Sequence, residues 1–289
     1  MVQKLTESKS LVSIIIPTKN SADTIDKCLA SIRKQSYDRI EIILVDNYSR
    51  DQTLNIAEKY GAKIYQTGPE RSAQVNFGVS RALGKYVYRV DSDFVLEPNV
   101  VHEAVQSCEK FGYDAIVIHN TSDPTISFWA KVRKMERDSY RNDETNVAAR
   151  FWKKEVFESI GGFDVNLIAG DDYDVHNRLL KGNFKIGWIK AQETHIGEPR
   201  NMAEIFRKHY FYGQNLGLFI EKNQERAIKQ LSPLRRSLAK SLSGASQEPD
   251  IIVGFFVYQF LRYTAATLGM LSAKLAASDR KPEIRFFLL

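Results

Sequence analysis

Residues 86–93 read YVYRVDSD, and the way this stretch ends decides the fold. Tyr86 to Val90 is a short aromatic and β-branched run, the composition of a buried strand. It stops at Asp91, and Asp93 follows two residues later, with Ser92 between them. Two carboxylates so spaced on a turn can both reach one hard divalent cation, directly or through water, and that cation can bridge a diphosphate. Upstream, Ile40 to Val45 is a second apolar run closed by Asp46-Asn47, and residues 11–17 (LVSIIIP) are a third, ended by proline. Between these strands lie stretches of helical periodicity: one from Ser21, at the N-cap position, through Cys28, Leu29 and Ile32; one from Asp51 to Tyr60; one from Arg71 to Leu83. Ala62 to Tyr65 reads as a further short strand. Strands and helices alternating at these lengths predict an α/β fold with a mostly parallel sheet flanked by helices. Ligands of such sheets sit beyond the carboxyl ends of the strands. The loop Pro17-Thr18-Lys19-Asn20, Asp46 and Asp91 all fall there, so three polar strand ends converge on one crevice.

Downstream the pattern loosens. AIVIH from residue 115 and Phe184 to Ile189 read as strands, and Phe128 to Tyr140 and Asp172 to Leu180 as helices. Phe151 to Phe163 contains a helix closed by Gly161-Gly162. No internal repeat and no low-complexity tract is present, and Ser241 to Pro249 reads as a linker. The first strand is followed by PTKNSAD, which contains no glycine. That excludes the Gly-rich triphosphate loop of a nucleotidyltransferase, and no GxGxxG follows any strand as a dinucleotide oxidoreductase requires.

The order and spacing of SIIIPTKN, LVDNYSRDQT, RSAQVNFGVSRALGKYVYRVDSDF, FWKKEVFESIGGFD and GDDYDVHNRLLKGNFKI, covering roughly residues 11 to 215, resemble a family 2 glycosyltransferase. The resemblance implies a GT-A-type, Rossmann-like nucleotide-binding sheet. It implies inverting transfer of a hexose from a UDP- or GDP-sugar, with a divalent Mn2+ or Mg2+ ion as cofactor. Pro17, Thr18 and Asn20 match the loop at the nucleotide base, and Asp46 the carboxylate that accepts from the base's ring N–H, a group either uracil or guanine offers. Arg71 matches the cation that approaches the donor phosphates, a task suited to a guanidinium fork. Asp91, Ser92 and Asp93 match the motif that holds metal and donor sugar. In some relatives a histidine in the position of His195, after the strand FKIGWIKAQETH, completes the metal site, and its nitrogen tilts the preference towards manganese. Asp172 matches the catalytic base, which takes the proton of an acceptor hydroxyl. The acid before it, usually glutamate in the family, is here Asp171, and the pair opens a helix, where negative charge is favoured.

The 289 residues allow one large domain with an appendage: residues 1–220 as the transferase domain and 221–289 as a basic and apolar helical region. Hydrophobic residues make up 43% and charged ones 26%, an ordinary globular balance. Cys28 and Cys108 show no CxxC spacing, and Met1 to Ser10 holds no apolar signal core, so a reducing, cytosolic setting is expected. The formal charge of +6 is concentrated: between Arg200 and Lys240 stand nine Lys/Arg against three Glu. Such a segment suits anionic lipid headgroups, each basic residue adding roughly 1 kcal/mol near a charged bilayer. Ile251 to Ala277 is apolar and long enough to span a bilayer, but Gln259 and Arg262 fall near its middle. A central arginine costs roughly 2.5–3.5 kcal/mol on insertion scales. A membrane-lying helix, or two short helices packed on the domain, accommodates Arg262 better. Tyr210, Phe211, Tyr212, Phe219 and Phe255 are expected as interfacial anchors. The resulting expectation is an enzyme on the cytoplasmic side of a membrane, peripheral or C-terminally anchored, with a lipid-linked or glycolipid acceptor. The alternatives are a soluble glycan acceptor or a non-catalytic membrane-bound relative. No nucleic acid is expected as a partner.

Overall fold

The computed structural model describes residues 9–141, 143–232 and 248–278. The expected linker from Ser241 and the last basic residues before it lie largely outside the described residues. In chain order the elements are β1 (Val12–Thr18), α1 (Ala22–Arg33), β2 (Ile40–Asp46), α2 (Thr53–Lys59), β3 (Lys63–Gln66), α3 (Arg71–Arg81), β4 (Tyr86–Arg89), β5 (Phe94–Leu96) and α4 (Val100–Phe111). Then follow β6 (Ala115–Ser122), α5 (Phe128–Ser139), β7 (Ala149–Lys153), α6 (Lys154–Ser159), α7 (Asp171–Lys181), β8 (Ile186–His195), α8 (Met202–Asn215), α9 (Gly217–Leu231) and α10 (Pro249–Ser278). The strands form one mixed sheet in the order β3-β2-β1-β4-β7-β6-β8-β5. β3, β2, β1 and β4 are mutually parallel, β7 runs antiparallel between β4 and β6, and β5 pairs antiparallel with β8. The expected mostly parallel α/β sheet is present.

β1 is buried along its whole length, which is why it reads as a continuous apolar run. Its side chains alternate between two cores: Val12, Ile14 and Ile16 pack with Ile25, Leu29 and Val101 on one face of the sheet. Ile15 packs with Val45, Val75 and Val87 on the other. Ser21 does occupy the N-cap of α1, but its side chain makes no cap bond; it accepts instead from the Ser92 hydroxyl at 2.9 Å.

Two expectations for the C-terminal segment are corrected. α10 is one 30-residue helix, not two short ones. Phe219 and Phe255 are buried core residues of two helical clusters and so cannot anchor to an interface. α10 packs on α8 and α5. At the α8 contact the backbones touch: a Cβ on Gly213 would lie 2.1 Å from the Ala266 carbonyl, and one on Gly269 would lie 2.2 Å from that of Tyr210. Arg262 points inward and donates to Glu136 Oε1 of α5 at 2.8 Å, which removes the cost of a central unpaired arginine. The opposite face carries Val253, Phe256, Phe260, Leu268, Leu271 and Leu275, all exposed and recurring at helical spacing. By length and composition α10 could cross a membrane.

Two buried histidines tie stability to pH. Burial, with Arg226 adding to it, pushes His176 down to about 4. Burial, reinforced by Arg262, Arg133 and Lys208, pushes His209 down to about 2. In the unfolded chain both titrate near pH 6.5. Below that value the unfolded state takes up protons that the fold refuses, so stability is intact above about 6.5 and falls as pH drops. The slope is about 1.4 kcal/mol per pH unit for each histidine, down to pH 4 for His176 and further for His209. Thermal melts between neutral and mildly acid pH are expected to show this loss, and His209→Asn to reduce its slope. Melts independent of pH in that window would refute it.

Candidate active site

The crevice at the carboxyl ends of β1, β2 and β4 is built by loops tied to one another. Gln74 of α3, buried, donates to the carbonyls of Thr18 at 2.9 Å and Val45 at 2.6 Å and so fastens two strand ends together. Asp46 is fully buried. Its carboxylate accepts from the Thr18 hydroxyl at 2.9 Å and from the Ser49 N–H at 2.7 Å, which folds the loop after β2 back onto β1. Asn20, with φ of 49°, clasps the same loop, donating from its backbone to Ser49 and accepting from the Arg50 N–H. Pro17 sits in β1 opposite Val45. The residues expected to hold a nucleotide base are therefore adjacent and tied to one another, with Asp46 at their centre.

The acidic motif lies beside them. Asp91 is surrounded by guanidinium groups. Arg89 donates to it from Nε at 3.0 Å and from Nη2 at 2.9 Å, Arg150 donates from Nη2, and Arg71 Nη1 stands 3.9 Å away. Burial works to raise the Asp91 carboxyl, but Arg89, Arg150 and Arg71 outweigh it and hold the group well below the usual carboxylate range. Arg89 is only 1% exposed and bridges two acids, donating from Nη1 to Asp172 as well. Asp172, at the start of α7, keeps a third of its side chain open to solvent. Burial acts to raise its carboxyl too, and Arg89, Arg71 and Arg150 together leave it lowered. Asp171 turns away from the helix end and grips Arg71 Nη2 at 2.6 and 2.8 Å. It thus orients the arginine expected at the donor phosphates and makes no cap of α7.

Asp93 faces another partner. The antiparallel pairing of β5 with β8 sets Phe94 opposite His195, and this brings His195 Nε2 to 3.0 Å from Asp93 Oδ2. Asp93 is a third exposed at its side chain, whereas His195 is almost closed off. The backbone at Gly197 presses close, where a Cβ would lie 2.3 Å from Asp93 Oδ2. Among the described residues no group of three or more His, Cys, Asp or Glu is gathered as a metal site. Asp93 and His195 are nevertheless a carboxylate oxygen and an imidazole nitrogen converging at a solvent-accessible edge, a donor pair that fits a hard-to-borderline divalent ion. Asp91, the third expected ligand, is turned towards its guanidinium partners. Ser92, between the two acids, is joined to Ser21 at the start of α1.

Arg89, Arg150, Glu193 and Glu198 complete the site and carry no spacing signal. Glu193, fully buried, accepts from Tyr88 at 2.7 Å and from Arg150. A solvent-accessible cleft of about 830 Å³ lies elsewhere, lined by Asp174, Arg178, Lys222 and Arg226 among others, and holds none of the expected site residues.

The model of the family described as Glycosyl transferase family 2 matches residues 13–164. Glycosyltransferase GlyG of Streptococcus pneumoniae is 31% identical over 267 residues, spanning 79% of this chain and 89% of that protein. Glycosyltransferase AglE of Haloferax volcanii is 26% identical over 228 residues, 73% of this chain and 74% of that one. Among solved structures, the mannosyltransferase PcManGT from Pyrobaculum calidifontis, in complex with GDP-Man and Mn2+, superposes with a TM-score of 0.62 at 17% identity, covering 95% of this chain and 89% of that one. S. aureus TarS in complex with UDP-GlcNAc gives 0.53 at 16% identity, covering 93% and 92%. At these identities the two structures speak to the fold alone.

Proposed function

Since the chain belongs to glycosyl transferase family 2 and is a glycosyltransferase, we propose that it moves a hexose, with inversion, from a UDP- or GDP-sugar to a lipid-linked or glycolipid acceptor. The observation that carries this reading is the convergence of Asp91, Asp93, Asp172 and Arg71 at the strand ends beside the Asp46 loop. The loop built by Pro17, Thr18, Asn20 and Asp46 receives the nucleotide base, and Arg71, 38% exposed and oriented by Asp171, meets its phosphates. Asp172 accepts the proton of the acceptor hydroxyl as its oxygen bonds to the anomeric carbon and the nucleoside diphosphate leaves from the opposite face. Its lowered carboxyl keeps it ionised for that task. Asp93 and His195, with Asp91 beside them, would hold the Mn2+ or Mg2+ ion. The chemistry a bound ion supplies there is neutralisation of the departing diphosphate. The GDP-Man and UDP-GlcNAc named with the two similar structures support a nucleotide-sugar donor and leave both nucleotides in play.

The lipid acceptor rests on α10. Its outward apolar face and the basic residues of α8 and α9 suit an interfacial helix on the cytoplasmic leaflet, with Arg262 turned into the protein. In this reading residues 1–220 are the catalytic unit and 221–289 the attachment region. The test is nucleotide release from a panel of UDP- and GDP-sugars with Mn2+, comparing an acceptor lipid in anionic vesicles with a soluble oligosaccharide. Release with one donor, faster with the vesicle acceptor and abolished by chelation, is the expected result. Equal rates on both acceptors would sink the lipid assignment, and no release from any donor would sink the transfer itself.

A further inference from the structure

Behind His195 lies an ionic assembly that the proposed chemistry does not use. His195 Nε2 faces Asp93, while its other nitrogen, Nδ1, stands 3.0 Å from Glu198 Oε1. That contact is close enough for an ion pair though out of line for a hydrogen bond. The Glu198 side chain is 1% exposed. It is held from two elements: the Ser122 hydroxyl at the end of β6 donates at 2.5 Å, and Arg137 Nε of α5 donates at 2.9 Å. Arg133 Nε stands 3.9 Å from its second oxygen. Arg133 also pairs with Glu136, and Glu136 with Arg262 of α10. A chain of alternating charges thus runs from the C-terminal helix through α5 to the imidazole at the acidic motif.

A carboxylate this deeply buried is costly unless its partners and geometry are fixed, and here both are. On its other side the imidazole packs on the Phe94 ring at 4.9 Å between centroids. The side chain is therefore confined with one edge to Glu198 and the other to Asp93. A carboxylate at the back of a metal-binding histidine fixes the ring's orientation. We infer that Glu198 is a positioning residue for cation binding: it holds the imidazole ring from behind, so that Nε2 stands with Asp93 at the edge where a divalent ion would bind. Arg137 and Ser122 hold Glu198 in place, and α5 and α10 are the frame on which they stand. The inference rests on reading Asp93 and His195 as the cation's donors.

The test uses the full chain and two variants. Glu198→Ala removes the acceptor; Glu198→Asp keeps a negative charge against Arg137 but draws it back from Nδ1. Calorimetric titration with MnCl2, in the absence of nucleotide, is expected to show affinity about 10–100-fold weaker in Glu198→Ala and intermediate in Glu198→Asp. Binding of UDP or GDP without metal is expected to be unchanged. If Glu198→Ala does not fold, Glu198→Asp supplies both readouts. Wild-type Mn2+ affinity in the folded variants overturns the inference alone. A wild type that binds no Mn2+ overturns the metal reading and the inference with it.

Discussion

Asp172→Asn is expected to lower the turnover number by about 10²–10⁴-fold, the span attributed to a positioned general base, while leaving nucleotide binding and the melting temperature close to those of the wild type. The expectation follows from where the side chain stands. Asp172 is a third exposed, stands at the start of α7, and pairs with Arg89. Asparagine matches its shape and can still accept from Arg89, so the fold loses little. What it lacks is a charged oxygen able to take a proton. The neighbouring acid provides the contrast. Asp171 is buried and locked onto Arg71 by two contacts, so Asp171→Asn should weaken donor binding, raising KM, more than it slows the chemical step. Single-turnover nucleotide release and equilibrium nucleotide binding, measured on both variants, separate the two roles. Full turnover in Asp172→Asn removes it as the base; lost nucleotide binding in that variant relocates it to the donor site.

The contrast between the two acids also bears on what could be read from sequence. β1, β2 and β4 were legible because each is an apolar run stopped by a polar residue, and the stops are the site. Short antiparallel strands were not: β5 has three residues, and β7 lies against the start of a stretch whose glycines suggested only a helix. β5 matters most, since its pairing with β8 is what carries Asp93 to His195. The charged partners were illegible for another reason. Arg89 is the single charge inside YVYRV, but nothing in its surroundings points to a carboxylate 83 positions away. Arg150 with Glu193, and Arg137 with Glu198, are likewise contacts made by the fold across long separations. Composition misled in α9 and α10, because aromatic content marks Phe219, Phe255 and Phe260 alike. Only packing separates the two buried rings from the exposed one.

Arg89→Met is the second large effect. The guanidinium is nearly inaccessible and holds Asp91 with three contacts and Asp172 with another. Removing one partner of a buried ionic group costs about 3–5 kcal/mol, because the acids left behind are uncompensated. Arg150 and Arg71 remain at Asp91, and Asp172 is partly solvated; the loss therefore falls at the lower end, about 3 kcal/mol, a fall in Tm on the order of 10 °C. The variant also moves the pH dependence of catalysis. Against burial, Arg89 is the foremost of the charges that lower the Asp172 carboxyl. Without it that carboxyl rises, a smaller fraction is ionised at any given acid pH, and the acid limb of the kcat/KM profile shifts to higher pH. Arg89→Lys restores a charge but not the fork that reaches both acids. It should recover part of the stability and less of the acid limb. Thermal melts and pH–rate profiles of the two variants carry the test. If Arg89→Met melts like the wild type and its acid limb is unmoved, then the bridge between the acidic motif and the base is incidental, and the two carboxylates are held in register by their backbones alone.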